Sequence, residues 1–445
     1  MSLLAYDSAP PVLPRAAVDA KLVSLLKLAA IGFGVFLSGF VIREPAPYEL
    51  YMVGLIAIWA LAGLKISRRI APLLALLIAF NIGGLISMSQ LASLGTIPLY
   101  IAVSLFLALT SVFFAAIVED DPDLLIIVFR AWVAAASATA LFGILGYFHA
   151  FPGAEMFTKF ERAAGVFEDP NVFGPFLTLP AVYLLYLVLT ARPVTALLCV
   201  PLFLIVAGGI FFSFSRGAWG LLIMTCGLLV LTVFLNADTA AARLRIAVTA
   251  FLALVGIALV LLLALQIPAV SELFFQRAQL VQDYDGARLG RFARFGIGFG
   301  WATEHPLGIG PLQFGQILGE DTHNIWLKAL LDYSWLGFAA YLTLILWTLA
   351  AGFRILFRRR PWQPYLICVY IVFVGHVALG TVIDTDHWRH FYLLLGLLWG
   401  MIALEQRHMA QRFGFARYAP SMSCPCPSSR LRGSRRVPVS MADPG

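Results

Sequence analysis

The chain has 445 residues, 61% hydrophobic and 12% charged, with a mean hydropathy of +0.88. A soluble domain carries about 25% charged residues, so this composition excludes an ordinary soluble protein and calls for a polytopic membrane protein. The net charge of +7 is spread over loops and tail, which reads as a topology signal rather than a nucleic-acid surface.

Residues 1–20 are Pro-rich, carry Asp7 and Asp19 and lack a compact apolar core, so no cleavable signal is read and the first span is expected to direct insertion. Apolar runs then fall at 22–42, 48–64, 70–88, 94–118, 124–148, 171–190, 194–212, 218–235, 246–266, 325–353, 363–383 and 389–405. Runs near 20 residues cross the ~30 Å hydrocarbon layer as helices. The short alternating segments of a membrane barrel are absent. The expected fold is therefore all-α, a polytopic integral membrane protein with about twelve transmembrane helices. Residues 1–21 form a cytoplasmic segment, 22–266 hold helices 1–9, 267–324 form one large extracytoplasmic loop and 325–405 hold helices 10–12. Residues 406–445 are a cytoplasmic, basic tail, and from about 419 its Pro, Ser and Arg content reads as disordered. Cys199, Cys226 and Cys368 lie in apolar runs and Cys424 and Cys426 in the tail, a distribution that indicates neither a disulfide framework nor a zinc site.

Orientation follows from the loop charges. A cytoplasmic N-terminus keeps Lys65, Arg68, Arg69, Arg192, Arg243, Arg245, Arg354, Arg358, Arg359 and Arg360 inside, as the positive-inside rule requires. Segments 149–170, 213–217, 267–324 and 384–388 then lie outside, with Arg162, Arg216, Arg277, Arg288, Arg291, Arg294 and Arg389. Positive charge is disfavoured on the translocated face, and anion binding is the simplest reason for it. Arg162, Arg277 and Arg389 are assigned instead to snorkelling toward headgroups or to pairing with Glu161, Glu168, Asp283 or Asp285.

Three outside motifs carry chemistry. In Phe167-Glu168-Asp169-Pro170-Asn171-Val172-Phe173-Gly174, Asp-Pro-Asn reads as a turn into a helix, with capping and substrate contact by Asp169 or Asn171 both open. Ser213-Phe214-Ser215-Arg216-Gly217-Ala218-Trp219 is a tight hairpin in which Gly217 is expected to allow the turn. Arg216 sits there beside the amides that open the next helix, and a guanidinium holds phosphate oxygens bidentately at any working pH. The long loop places Arg288, Arg291 and Arg294 three apart, on one face if the stretch is helical, as an anion site or a solvated stripe. After His305-Pro306-Leu307-Gly308-Ile309-Gly310-Pro311 comes Glu320-Asp321-Thr322-His323-Asn324 at the start of span ten. His323 is a candidate general base or a structural helix-end histidine, and Asn324 a possible substrate contact.

Together these features resemble the O-antigen ligase and polymerase family of bacterial membrane glycosyltransferases. The resemblance rests on Ser215-Arg216-Gly217, on a loop arginine followed by His305-Pro306-Leu307-Gly308-Ile309-Gly310, and on His323-Asn324 with Trp326-Leu327 through Asp332-Tyr333-Ser334-Trp335-Leu336-Gly337. It covers about residues 160–340. It implies that Arg216 and a loop arginine hold the pyrophosphate of an undecaprenyl-linked glycan and that His323 activates the acceptor hydroxyl. Arg291, fifteen residues before Pro306, best matches the loop arginine, although Phe295 stands where the family often has Trp and the neighbours Arg288 and Arg294 leave the register open.

The expected function is an inverting, metal-independent transfer of an undecaprenyl-pyrophosphate-linked glycan onto a sugar hydroxyl at the periplasmic face of the bacterial inner membrane. The partners are that donor, lipid A–core as acceptor and membrane lipids, with no cofactor, no metal and no nucleic acid. Polymerisation of O-antigen, capsule or exopolysaccharide units, with the growing polysaccharide as acceptor, is the alternative. A lipid-linked glycan transporter would need polar residues in mid-span, where only Arg130 and Asn81 stand out. A passive scaffold leaves the outward arginines unexplained.

Overall fold

In a computed structural model, residues 15–43, 45–279 and 290–418 are described. The chain divides into two units, Met1–Gln406 and Arg407–Gly445, the second contributing, among the described residues, the end of the last helix. The long helices are α1 (Arg15–Leu37), α2 (Pro47–Leu61), α3 (Ala71–Met88), α4 (Ile97–Asp120), α5 (Leu124–Tyr147), α6 (Pro170–Thr190), α7 (Pro193–Phe212), α8 (Arg216–Asn236) and α9 (Ala240–Ala264). Short helices α10 (Pro268–Ala278), α11 (Arg291–Glu304), α12 (Gln313–Leu318) and α13 (Ile325–Asp332) precede α14 (Ser334–Leu356), α15 (Gln363–Leu379) and α16 (Arg389–Tyr418). Among the described residues nine helices are long and apolar enough to cross a membrane, while α2 and α15 are shorter apolar helices. The protein is an all-α, multi-pass membrane protein.

Helix starts follow the local sequence. Pro stands in the first turn of α2, α3, α4, α6 and α7, where a missing N–H costs nothing. The side chains of Asp169, Ser215, Thr239 and Asn324 accept backbone N–H groups at the starts of α6, α8, α9 and α13.

One expectation changes. The run 325–353 is not one helix: it breaks at Tyr333–Ser334, where Ser334 has φ +62, into α13 and α14. The first piece carries Lys328 and Asp332, both buried in protein, and packs against α11 rather than lipid. The large loop holds α10, α11 and α12, and the stretch that begins at Arg291 is helical, as the spacing of its arginines allowed.

Close packing at α3 and α14 sets the position of everything after Tyr333. A Cβ on Gly83 would lie 2.1 Å from the Tyr333 carbonyl oxygen and 2.6 Å from the Gly337 nitrogen. Small residues let membrane helices approach this closely. The Gly308 turn is equally tight. Its φ is +85, and a Cβ there would meet Ser87 Oγ at 2.2 Å and the Leu331 carbonyl at 2.6 Å. Ser87 Oγ donates to that carbonyl at 3.0 Å and accepts from the Gly310 N–H at 3.0 Å, which pins the turn to α3.

The two ends of the bundle differ in chemistry. One end holds ion pairs of Arg69 with Glu119, of Arg358 and Arg360 with the buried Glu405, and of Arg359 with Asp238. The other end is built from segments 148–169, 213–215, 265–279, 319–324 and 380–388. We expect Gly83→Ala to destabilise the protein by about 1–3 kcal/mol through overpacking against backbone. Gly256→Ala is the control, because nothing lies within 4 Å of a Cβ there. Thermal melts in detergent check this, and equal melting temperatures for the two variants contradict the packing account.

Candidate functional site

Between α6, α8, α10, the segment before α13 and the end of α15 with the 380–388 segment lies a cavity of about 330 Å³. Polar groups lining it are Arg162, Asp169, Asn171, Ser215, Arg216, Arg277, His323 and Asp384, and Val172, Pro175, Leu379, Val382, Ile383 and Trp388 are among the apolar ones.

Arg216 is the first residue of α8, and its Nη1 donates to the Gln279 carbonyl at 3.0 Å. The corner before it is made by Phe214 at φ +45 rather than by Gly217, which lies inside α8. A phenylalanine holds this left-handed turn because its buried ring packs among Tyr147, Phe211, Phe212 and Trp219.

Arg162 enters on a two-residue hairpin. Thr158–Lys159 pairs antiparallel with Arg162–Ala163, and Phe160 and Glu161 at φ +55 and +58 make the turn. The buried Arg162 donates from Nε to the Ser213 carbonyl at 2.6 Å and from Nη2 to Asn171 Oδ1 at 2.9 Å. It ties the Arg216 hairpin to the start of α6. Asn171 in turn donates its backbone N–H to Asp169 Oδ1 at 2.8 Å, so the Asp169–Asn171 motif caps α6 and lines the cavity at once.

Arg277 lies in the last turn of α10, and its buried Nε has no hydrogen-bond partner among the described residues. Buried polar atoms are nearly always bonded, so this guanidinium in the cavity wall is a candidate contact for an anion. Arg162 and Arg277, expected to snorkel or pair, both line the cavity. Arg389 pairs, as expected, but with Glu49, at 2.5 Å.

Of the three loop arginines, Arg294 is the one whose side chain is described. Arg288 lies outside the described residues, and Arg291 opens α11 without a described side chain. Arg294 is buried, pairs with Glu320 at 2.5 Å and reaches the Asp321 carbonyl at 3.5 Å. It does not line the cavity. Neither does Asn324, whose Oδ1 caps α13 through the Trp326 and Leu327 N–H groups and whose Nδ2 donates to the Thr381 carbonyl.

His323 sits at φ +47 between two bonded neighbours, with Nδ1 3.9 Å from Asp384 Oδ2. Behind it is a buried charge cluster that sequence reasoning did not find. Lys328 bonds Asp321 and, at 2.9 Å, Asp332. Asp386 Oδ2 accepts from Tyr100 at 2.5 Å, from Tyr333 at 3.1 Å and is 2.9 Å from His387 Nδ1. Burial pushes the Asp384 carboxyl up to about 7, with Lys328 opposing and Asp321 and Asp386 reinforcing. Burial also disfavours charge on Asp386 and His387, but their mutual attraction outweighs it, lowering the first and raising the second. The signal was present in Asp384-Thr385-Asp386-His387, a charged run in a short outer segment. Among the described residues no three His, Cys, Asp or Glu side chains are grouped to hold a metal.

The fold and cavity define a multi-pass membrane protein with an arginine-lined cavity at one end of its bundle. Residues 201–342 match the sequence model of the family described as O-Antigen ligase, which bears out the resemblance over that segment. Curated proteins give no match to the chain. The matched segment supplies Arg216, Arg277 and His323, whereas Arg162, Asn171 and Asp384 come from outside it.

A charge-assisted hydrogen bond contributes about 1.5–3 kcal/mol. Inorganic pyrophosphate should therefore bind Arg277→Ala at least about tenfold more weakly than the unmodified protein. Arg294→Ala, outside the cavity, should change binding less than about threefold. Calorimetry on detergent-solubilised protein measures both, and the reverse order would move the anion site to α11.

Proposed function

We propose that this protein is a glycosyltransferase that moves an undecaprenyl-pyrophosphate-linked glycan onto a sugar hydroxyl, with lipid A–core as acceptor, at the periplasmic face of the bacterial inner membrane. The observation that carries this reading is the shared cavity of Arg216, Arg277, Arg162 and His323. The match of residues 201–342 to O-antigen ligase supports it.

In this reading the pyrophosphate lies against the guanidiniums of Arg216 and Arg277, and the lipid chain leaves along the apolar wall of Val172, Leu379 and Val382. Breaking the bond from the anomeric carbon to the pyrophosphate oxygen puts the electron pair on the leaving group. Fixed positive charge aimed at that oxygen stabilises it as it develops, without a metal ion. His323 takes the proton of the acceptor hydroxyl as its oxygen bonds the anomeric carbon from the opposite face, so configuration inverts. The periplasmic placement is supported by the opposite end, where Arg69, Arg358, Arg359 and Arg360 gather as the positive-inside rule asks of the cytoplasmic side.

The test is transfer in membranes with a defined lipid-linked donor, offered lipid A–core in one arm and a second lipid-linked unit in the other. Product only in the second arm makes the protein a polymerase. Arg216→Lys keeps charge but loses the planar fork, and should drop transfer about tenfold or more with normal accumulation. His323→Asn keeps a residue that tolerates left-handed backbone and removes the base. It should lose about 10²–10⁴-fold in rate. Full transfer by both variants would falsify the reading.

A further inference from the structure

Among the described residues, the carboxylate within 4 Å of the His323 ring is that of Asp384, and it is bonded to both residues flanking the histidine. Asp384 Oδ1 accepts from the Asn324 backbone N–H at 2.9 Å and from Thr322 Oγ1 at 3.2 Å. The other oxygen, Oδ2, faces His323 Nδ1 at 3.9 Å. Both side chains line the cavity, the histidine 37% exposed and the carboxylate 16%.

We propose that Asp384 is the positioning residue for His323, holding the ring by its Nδ1 edge so that Nε2 meets the acceptor hydroxyl. The inference rests on the reading of His323 as the base. A base needs a defined tautomer, and a carboxylate at one ring nitrogen puts the proton there and the lone pair on the other. The 3.9 Å separation is an ion-pair contact, and catalytic hydrogen bonds commonly tighten only when substrates are bound. The left-handed backbone at residue 323 costs energy for a non-glycine residue, and the two hydrogen bonds from Thr322 and Asn324 to Asp384 hold it. As the acceptor oxygen bonds the anomeric carbon, its proton passes to His323 Nε2. The imidazolium that forms is then stabilised by Asp384, while the electron pair of the broken bond leaves on the pyrophosphate.

The groups acting on Asp384 are Lys328 and Asp332 from α13, Asp321 before it and Asp386 from its own segment. Burial raises the carboxyl to about 7. It is charged above that pH and neutral below it, so its support for an imidazolium is lost as pH falls. Removing the charge makes the histidine easier to deprotonate, which moves the acid limb of the rate profile to lower pH.

Asp384→Asn keeps the size and the Oδ1 acceptor for Thr322 and Asn324 and deletes the charge beside His323. With rates referred to protein accumulated in the membrane, kcat should fall at least about tenfold. KM for the lipid-linked donor should stay within about twofold, because donor affinity resides in the arginines. Adding Asp384→Asn to His323→Asn should cost nothing further. Unchanged kcat in Asp384→Asn, or the same factor lost again in the double variant, overturns the proposal. Should Asp384→Asn fail to accumulate, Asp384→Glu decides: restored charge must keep the acid limb at its wild-type pH, and a limb shifted downward sinks the idea. The two readings separate cleanly. His323→Asn at full rate removes the base itself, whereas an inactive His323→Asn beside a fully active Asp384→Asn removes only the positioning role.

Discussion

A single buried lysine determines how the site end of the bundle is assembled. Lys328 is 2% exposed, and an ammonium withdrawn from water costs several kcal/mol unless paired and hydrogen-bonded. Its partners come from both directions along the chain. Asp321 precedes α13, and Asp332 ends it one turn further on. Asp332 also accepts the Leu312 N–H at 3.2 Å, so the ion pair reaches the segment that follows the Gly308 turn. Deleting one partner would leave a buried charge unmatched, which is why the histidine, the turn and α13 behave as one piece.

That cluster explains why α13 is not a membrane span. In sequence, Ile325-Trp326-Leu327-Lys328-Ala329-Leu330-Leu331-Asp332 merges with the apolar run after it, and one lysine can snorkel. The structure places both charges inward, against protein, so the run breaks at Ser334. Hydropathy sums cannot tell a helix facing lipid from one buried on all sides among other helices. The remaining apolar runs were legible because lipid-facing helices carry their signal in composition alone, and α9, exposed along nearly its whole length, is the plainest case.

Legibility of the site divides along the same line. Arg216 and His323 stand out because each violates a local expectation, a cation on the translocated side or a titratable group at a helix start. Arg162 and Arg277 violate the same rule but have acidic neighbours in sequence, which made pairing the economical reading. Only the tertiary arrangement shows Arg162 spending Nε and Nη2 on the neutral oxygens of Ser213 and Asn171. Asp384 is visible in sequence only as part of a charged run in a short outer segment, because its contact is with a residue sixty-one positions earlier and no periodicity encodes it.

The match to O-antigen ligase ends before α15, yet the cavity is not complete without what lies beyond and before it. Residues 201–342 contribute charges that suit a pyrophosphate and a base. The wall opposite them is Arg162 and Asn171 on one side and the 380–388 segment on the other. Those flanking pieces are anchored independently, Arg162 by the hairpin at Phe160–Glu161 and the 380–388 segment by Asp386 with Tyr100 and Tyr333. Under the proposed reading, donor chemistry and its geometric support therefore sit on different stretches of chain. On that reading the shared segment carries the proposed base and two of the arginines, while the flanks hold them in place.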